Sequence, residues 1–176
     1  MLPIDLRFML RCVLPDPFFL FHPFDPDAMH TQSALCMTWL GDKIHSIRGA
    51  AVVNLAKLTE AFGHQWSTEQ IVPKVVALYG HSNYLFRLTS LASIHALSSR
   101  IEPSVFQNVM LPVLLKSSQD PVPNIRLRAA KILGIVGKGV EPAHLQQAVK
   151  PVLTRMTQDS DRDVKYFAEE ALTLLQ

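Results

Sequence analysis

Apolar residues recur along this chain on two periods at once. Within a stretch they step at about 3.6 residues, as on one face of a helix, and whole sets of them then recur at a much longer interval. Ile47, Phe86, Ile125 and Val164 stand 39 apart; Leu55, Ile94, Leu133 and Leu172 follow eight positions later, and Leu58, Leu97, Val136 and Leu175 three after that. Polar positions keep the same beat. Arg48, Arg87, Arg126 and Lys165 come directly after the first apolar set, and Asp42, His81, Asp120 and Asp159 precede it by five residues. A long interval imposed on a helical pattern is the mark of a solenoid, in which helix pairs stack and each buries its apolar face against its neighbours.

A unit of 39 residues lies just under the ~40–47 residues of HEAT and armadillo units and is too long for the ~34-residue tetratricopeptide unit. Ala51, Ser90, Ala129 and Ala168 hold one repeat position with small side chains, which lets paired helices approach closely and favours HEAT. Pro73, Pro112 and Pro151 fall at one position inside the first helix of the later pairs, with Ala34 in the first. A proline there bends the helix by deleting a backbone donor. The fold class expected is all-α: a right-handed HEAT-repeat superhelix of about four helix pairs.

The pairs are expected over about 29–66, 67–102, 103–141 and 142–176. The first runs from Met29 to Leu40 and from His45 to Phe62, closed by Gly63 as a left-handed cap. Ser67 and Gln70 have capping-box spacing and would start a helix through Pro73 to Tyr79, ended by Gly80. Asn83 to Arg100 is its partner. Pro103 suits the first turn of a helix to Ser118. Ile125 to Val136 follows, then a Gly137-Lys138-Gly139 linker, then helices from Pro142 to Met156 and from Asp163 to Leu175. The periodic leucines continue almost to Gln176, so the carboxyl end reads as a natural solenoid terminus.

Residues 1–28 break the pattern. Pro15, Pro17, Pro23 and Pro26 interleaved with Phe18, Phe19, Phe21 and Phe24 exclude a long helix. A signal peptide is disfavoured because Pro3 and Asp5 spoil the charged start and no small-residue cleavage site follows the apolar run. Three readings stay open: a hydrophobic arm on the exposed end of the first repeat, a segment disordered in isolation, or an artefact of gene-start assignment. The expectation is that this segment adds little stability, and no functional motif is assigned to it.

Composition narrows the function. With 176 residues, 48% hydrophobic and 18% charged, the chain can bury one continuous core. A net charge of +2 gives no electrostatic case for nucleic acid or an anionic membrane. No run approaches the ~18–20 apolar residues of a membrane span. Cys12 and Cys36 lack metal or redox spacing, and Cys36 shares its repeat position with Val75, Leu114 and Leu153. It reads as a core thiol in a reducing compartment, with cytoplasm first and nucleus as a second location.

Catalysis has no foothold in the sequence. HEAT-type metal-dependent hydroxylases place His-Glu dipeptides on successive repeats so that imidazoles and carboxylates converge on iron. Here no histidine precedes a glutamate, and His45, His64, His81, His95 and His144 fall at unrelated repeat positions. No cofactor, metal or catalytic residue is assigned.

Several strings carry a resemblance. Leu35-Cys36-Met37 through Trp39-Leu40, Ile71-Val72-Pro73-Lys74-Val75, Asn83-Tyr84-Leu85, Thr157-Gln158-Asp159 and Asp163-Val164-Lys165-Tyr166-Phe167-Ala168 resemble the carboxyl-terminal HEAT repeats of the scaffolding A subunit of protein phosphatase 2A. The likeness covers about residues 33–176, and the stretch from Asp163 to Ala171 is its most specific part. The amino-terminal segment departs from the family pattern, and the many preceding repeats are missing. The resemblance implies a non-catalytic scaffold whose partner is the phosphatase catalytic subunit, held along the ridge of turns inside each pair. It implies no regulatory B-type subunit in the usual mode, since that subunit engages earlier repeats. A HEAT adaptor of another class, such as a nuclear-transport or assembly-factor fragment, is the alternative.

The residues themselves also point to a ridge. Turns stack at roughly 10 Å, the distance between packed helices, so Lys43-Ile44-His45, Asn83-Tyr84, Val122-Pro123-Asn124 and Asp161-Arg162-Asp163 would form one line. The candidate partner-binding residues are His45, Tyr84, Arg87, Val122 and Asn124. Aromatic and arginine side chains are the usual anchors of interfaces. His45 stands where the family pattern suggests another aromatic. The Asp42, Asp120, Asp159 and Arg48, Arg87, Arg126 series has a structural reading as well: a ladder in which turn carboxylates cap or pair across adjacent repeats.

Overall fold

The computed structural model describes the backbone over residues 26–176 and side chains from residue 33 onward. The readings of Cys12 and of the Phe18, Phe19, Phe21 and Phe24 arm lie outside the described residues. Among the described residues every regular element is helical. In chain order they are α1 (Pro26–Leu40), α2 (His45–Gln70), α3 (Val72–Leu78), α4 (Tyr84–Leu97), α5 (Pro103–Val105), α6 (Leu111–Ser117), α7 (Pro123–Val136), α8 (Pro142–His144), α9 (Lys150–Met156) and α10 (Arg162–Leu174). A π turn, Phe106–Met110, joins α5 to α6, and another, Leu145–Val149, joins α8 to α9.

These elements make four pairs. The first is α1 with the first arm of α2; the second is residues 64–78 with α4; the third is α5–α6 with α7; the fourth is α8–α9 with α10. The second helices of the pairs, α2, α4, α7 and α10, pack in that order and carry most contacts between units. The periodic apolar sets fill this stack: Leu55, Ile94 and Leu133 are wholly buried, as are the small residues Ala51, Ser90, Ala129 and Ala168. Close approach at the small position is visible as hydrogen bonds between paired helices. The Ser90 hydroxyl donates to the Val75 carbonyl at 2.7 Å, and the buried Cys36 thiol donates to the Ala51 carbonyl at 3.2 Å.

Two local expectations are corrected. Gly63 does stop the second helix of the first pair, but at φ 86°, ψ 171°. That is the extended mirror-image region, which only glycine occupies readily, and not a left-handed helical cap. The chain turns so sharply there that helix resumes at residue 64, ahead of Ser67. Ser67 therefore lies inside a helix and caps nothing. It is buried, and its hydroxyl makes no hydrogen bond.

The prolines bend the first helices by a wider device than a lost donor alone. Ahead of Pro112 the Leu111 N–H reaches back five residues to Phe106, and ahead of Pro151 the Lys150 N–H reaches back to Leu145. The extra residue in the turn gives the proline ring room that a regular α turn would deny it. Near Pro73 the chain keeps α spacing: Ile71, at φ −103° and ψ −52°, still bonds back four residues to the Ser67 carbonyl at 2.9 Å.

The tightest joint lies between α7 and α10. A Cβ on Gly134 would stand 2.8 Å from the Ala171 Cβ and 2.9 Å from its Cα, whereas a Cβ on Gly49 meets nothing within 4 Å. Gly134→Ala should therefore destabilise the protein by about 1–3 kcal/mol through overpacking. Gly49→Ala, on an exposed turn of α2, should stabilise it by about 0.4–1 kcal/mol. Opposite signs in urea unfolding are the expected result.

Candidate protein-binding ridge

Each turn within a pair is built by one side chain that accepts a backbone N–H two residues on. Asp42 Oδ1 accepts from Ile44 at 2.7 Å, Asp120 Oδ1 from Val122 at 2.9 Å and Asp159 Oδ1 from Asp161 at 2.8 Å. In the second unit His81 takes the role, its Nδ1 accepting from Asn83 at 3.0 Å. The basic residue then folds back over its own turn. Arg87 Nη1 donates to the carbonyls of His81 and Ser82, Arg126 Nη1 to those of Asp120 and Pro121, and Arg48 Nη1 to those of Asp42 and Lys43.

The other edge of the guanidinium reaches the next unit. Arg87 Nε and Nη2 donate to the two oxygens of Asp120 at 2.8 and 3.0 Å, and Arg126 Nε and Nη2 to those of Asp159 at 2.7 and 2.8 Å. These are bidentate pairs, the strongest geometry open to arginine and carboxylate. They are largely shielded from water, with side-chain exposures of 12% and 3% in one rung and 13% and 11% in the other. The hydrogen bond from Arg126 holds the Asp159 carboxyl below its ordinary pKa, against the opposing pull of burial, and the same bond raises Arg126. Tyr79 adds a phenol at 3.3 Å from Asp120 Oδ2.

One rung is missing. The residue 33 positions beyond Arg48, where Arg87 and Arg126 find an aspartate, is His81, and among the described residues Arg48 makes no ion pair. The imidazole stacks on Phe86 instead, centroids 4.1 Å apart. Phe86 in turn closes on Gly41, whose Cβ would meet the ring at 3.0 Å.

Of the five candidate contact residues, two are committed inward. Arg87 spends its donors on the ladder, and Val122 is half-buried against the core. His45, Tyr84 and Asn124 stand exposed at the starts of α2, α4 and α7. The ridge also presents Ile44, 57% exposed beside Tyr84 at 43%. The sequence-derived candidates omit Ile44, although it shares a repeat position with Val122 and that register points to it. Asn83, whose side chain accepts from the Leu85 N–H, and Asp161, which accepts from Asp163 and Val164, are caps. Trp39 is buried and Trp66 half-buried, as core residues.

The HEAT repeat model matches residues 110–140, which hold α6 and α7. Over 70 residues the chain is 42% identical to the regulatory A subunit of protein phosphatase PP2A from Schizosaccharomyces pombe, covering 40% of this chain and 12% of that protein. Over 128 residues it is 35% identical to the protein of the same name from Saccharomyces cerevisiae, covering 68% of this chain and 20% of that one. This is a HEAT-repeat protein similar to the regulatory A subunit of PP2A. The chain thus matches a fifth or less of the length of these curated relatives. Both are named as regulatory subunits of the phosphatase. Among solved structures the chain resembles Cex1p, with a TM-score of 0.66 at 17% identity over 89% of this chain and 31% of that one, which bears on the fold alone.

The ladder makes definite demands. Asp120→Ala strands a shielded guanidinium and frees the Val122 N–H, and should cost about 3–5 kcal/mol in chemical unfolding. His81→Asp supplies the missing carboxylate while keeping the acceptor for Asn83, and should raise the melting temperature by the equivalent of about 1–2 kcal/mol. Because Asp159 has a lowered pKa when folded, its contribution is complete above the unfolded carboxylate value of about 4 and fades as pH falls through the folded one. Asp159→Asn should be less stable at neutral pH and lose less on acidification, seen in melting curves taken from pH 7 to pH 3.

Proposed function

We propose that this chain is a non-catalytic scaffold that holds the catalytic subunit of a protein phosphatase 2A along its ridge of intra-pair turns, in the cytoplasm and nucleus. The observation that carries the reading is the division of labour in the turns. The aspartates and arginines satisfy the turn backbone and one another, which leaves Ile44, His45, Tyr84 and Asn124 exposed at successive helix starts. Tyr84 and Asn124, on units tied by bidentate pairs, offer contact area at low ordering cost. The names of the curated relatives supply the class of partner.

Arg87 enters this reading as a positioning residue. Its rung fixes the turn that presents Tyr84, so Arg87→Ala should lower thermal stability and binding together. Tyr84→Ala should leave stability nearly unchanged and weaken capture of a purified phosphatase catalytic subunit by about 1–3 kcal/mol, roughly five- to 150-fold. Asn124→Ala should cost about 1 kcal/mol. Lys57→Ala and Gln147→Ala, on exposed helix faces, should have no effect. Binding by surface plasmon resonance checks the set. Equal losses from ridge and face, or no loss from Tyr84 and Asn124 in folded protein, would assign the contact elsewhere. Recovery of a small GTPase or transport cargo in place of the phosphatase would favour an adaptor of the other class.

A further inference from the structure

The same repeat interval places a feature on the first-helix layer that the ridge does not use. Thr38, Ala77, Lys116 and Arg155 stand 39 apart, so the position is neutral in the first two units and cationic in the last two. Lys116 and Arg155 occupy the last turns of α6 and α9. Both are exposed, and among the described residues neither side chain makes a hydrogen bond or an ion pair. Together they line one cleft of about 580 Å³ across the second, third and fourth units. That is within the ~300–1,000 Å³ of ordinary ligand sites.

The lining of the cleft says what it takes. Leu115 and Val152, packed on the core, give an apolar floor between the two cations, and Pro121 continues that floor to the edge of the ridge. Gln119 adds an exposed amide. Asp120 also borders the cleft, but its two oxygens are taken by Arg87, by the Val122 N–H and by the Tyr79 phenol. Its charge is spent inward. Two unpaired cations over an apolar floor, with the adjacent carboxylate already neutralised, attract a ligand that carries two negative charges flanking apolar atoms.

We propose that this cleft binds an acidic peptide segment of a partner protein in extended form. Stacked helices lie about 8–10 Å apart, and an extended polyproline II chain rises about 3.1 Å per residue with three residues per turn, so side chains three positions apart share a face. Two acidic residues three positions apart, with apolar residues between them, therefore match Lys116 and Arg155 with the floor between. Nucleic acid fits less well, because among the described residues the cleft has only two free cations and the phenol at its edge is turned to Asp120 rather than presented as a stacking surface. An anionic membrane fits less well because the charges lie in a recess.

The test uses the full chain and a short labelled peptide with two glutamates three positions apart and leucine and isoleucine between them, followed by fluorescence anisotropy. Binding should be measurable at low salt and weaken several-fold as salt is raised, as for exposed charge pairs. The double variant Lys116→Ala with Arg155→Ala, which copies the second unit's alanine, should bind about three- to tenfold less tightly with an unchanged melting temperature. The peptide with glutamines for glutamates should lose as much, and Lys57→Ala should lose nothing. Unchanged affinity in the double variant overturns the proposal. So does equal or tighter binding of single-stranded DNA or phosphatidylserine vesicles that the double variant abolishes, since the cations would then serve another class of ligand. Because Tyr84→Ala leaves the cleft intact, this result and the phosphatase result fail independently.

Discussion

The constraint on which this molecule depends is the need to satisfy the polar backbone of a short turn while joining that turn to the next. An aspartate meets both demands, with one oxygen closing its own turn and both receiving the arginine of the preceding unit. The arginine mirrors this with one nitrogen on its own turn and two on the following unit. Each rung is worth keeping because neither partner has another use in its shielded place. A carboxylate without the guanidinium, or the reverse, would face the desolvation cost alone. The ladder thus fixes the register of the stack, while the buried Leu, Ile and Ala sets supply most of the driving force.

Stacking at close range sets the second constraint. Paired helices can share hydrogen bonds such as Ser90 to Val75 only where the side chain at that position is small. The last two units press closest, at Gly134 against Ala171. The prolines serve the same geometry from the other layer, since the π turns before Pro112 and Pro151 let each first helix bend without leaving its place against its partner.

Much of this is legible in the sequence because a repeat is read several times over. The 39-residue interval locates four pairs, the core sets and the Asp and Arg series, and the structural reading of that series holds at Asp120 and Asp159, which both cap and pair, while Asp42 caps its turn only. What is not legible depends on single events with no second copy to average over. A glycine at position 63 announces a positive φ but not its ψ, and the capping-box spacing at Ser67 is satisfied by letters alone inside a helix already begun. Among the candidate contact residues, exposure is readable at His45, Tyr84 and Asn124. The inward commitment of Arg87 is readable only as an alternative, because one side chain can serve either role until its partners are seen. Lys116 and Arg155 escape a reading that follows aromatic and turn residues alone, and Ile44 is placed on the ridge but not among the contact residues, although the same interval marks all three.

The absent rung gives the solenoid a gradient. In a stack whose stability is a sum of units and nearest-neighbour interfaces, the interface without a bidentate pair is the first to open. Here that interface lies between the first and second units, where His81 stands in the place of an aspartate 33 positions beyond Arg48 and the added link on the far edge is an exposed pair, Arg100 with Glu60, worth about 0–1 kcal/mol. Aromatic contact replaces the rung, through His81 on Phe86 and Phe86 on Gly41, and such contacts slide more readily than a two-pronged ion pair. Ile44 and His45 sit on the unit held this way, whereas Tyr84 and Asn124 sit on units tied by full rungs. A partner spanning the ridge would then find its firm contacts at Tyr84 and Asn124 and would itself fix the position of Ile44, so part of its binding energy would go into ordering the first joint.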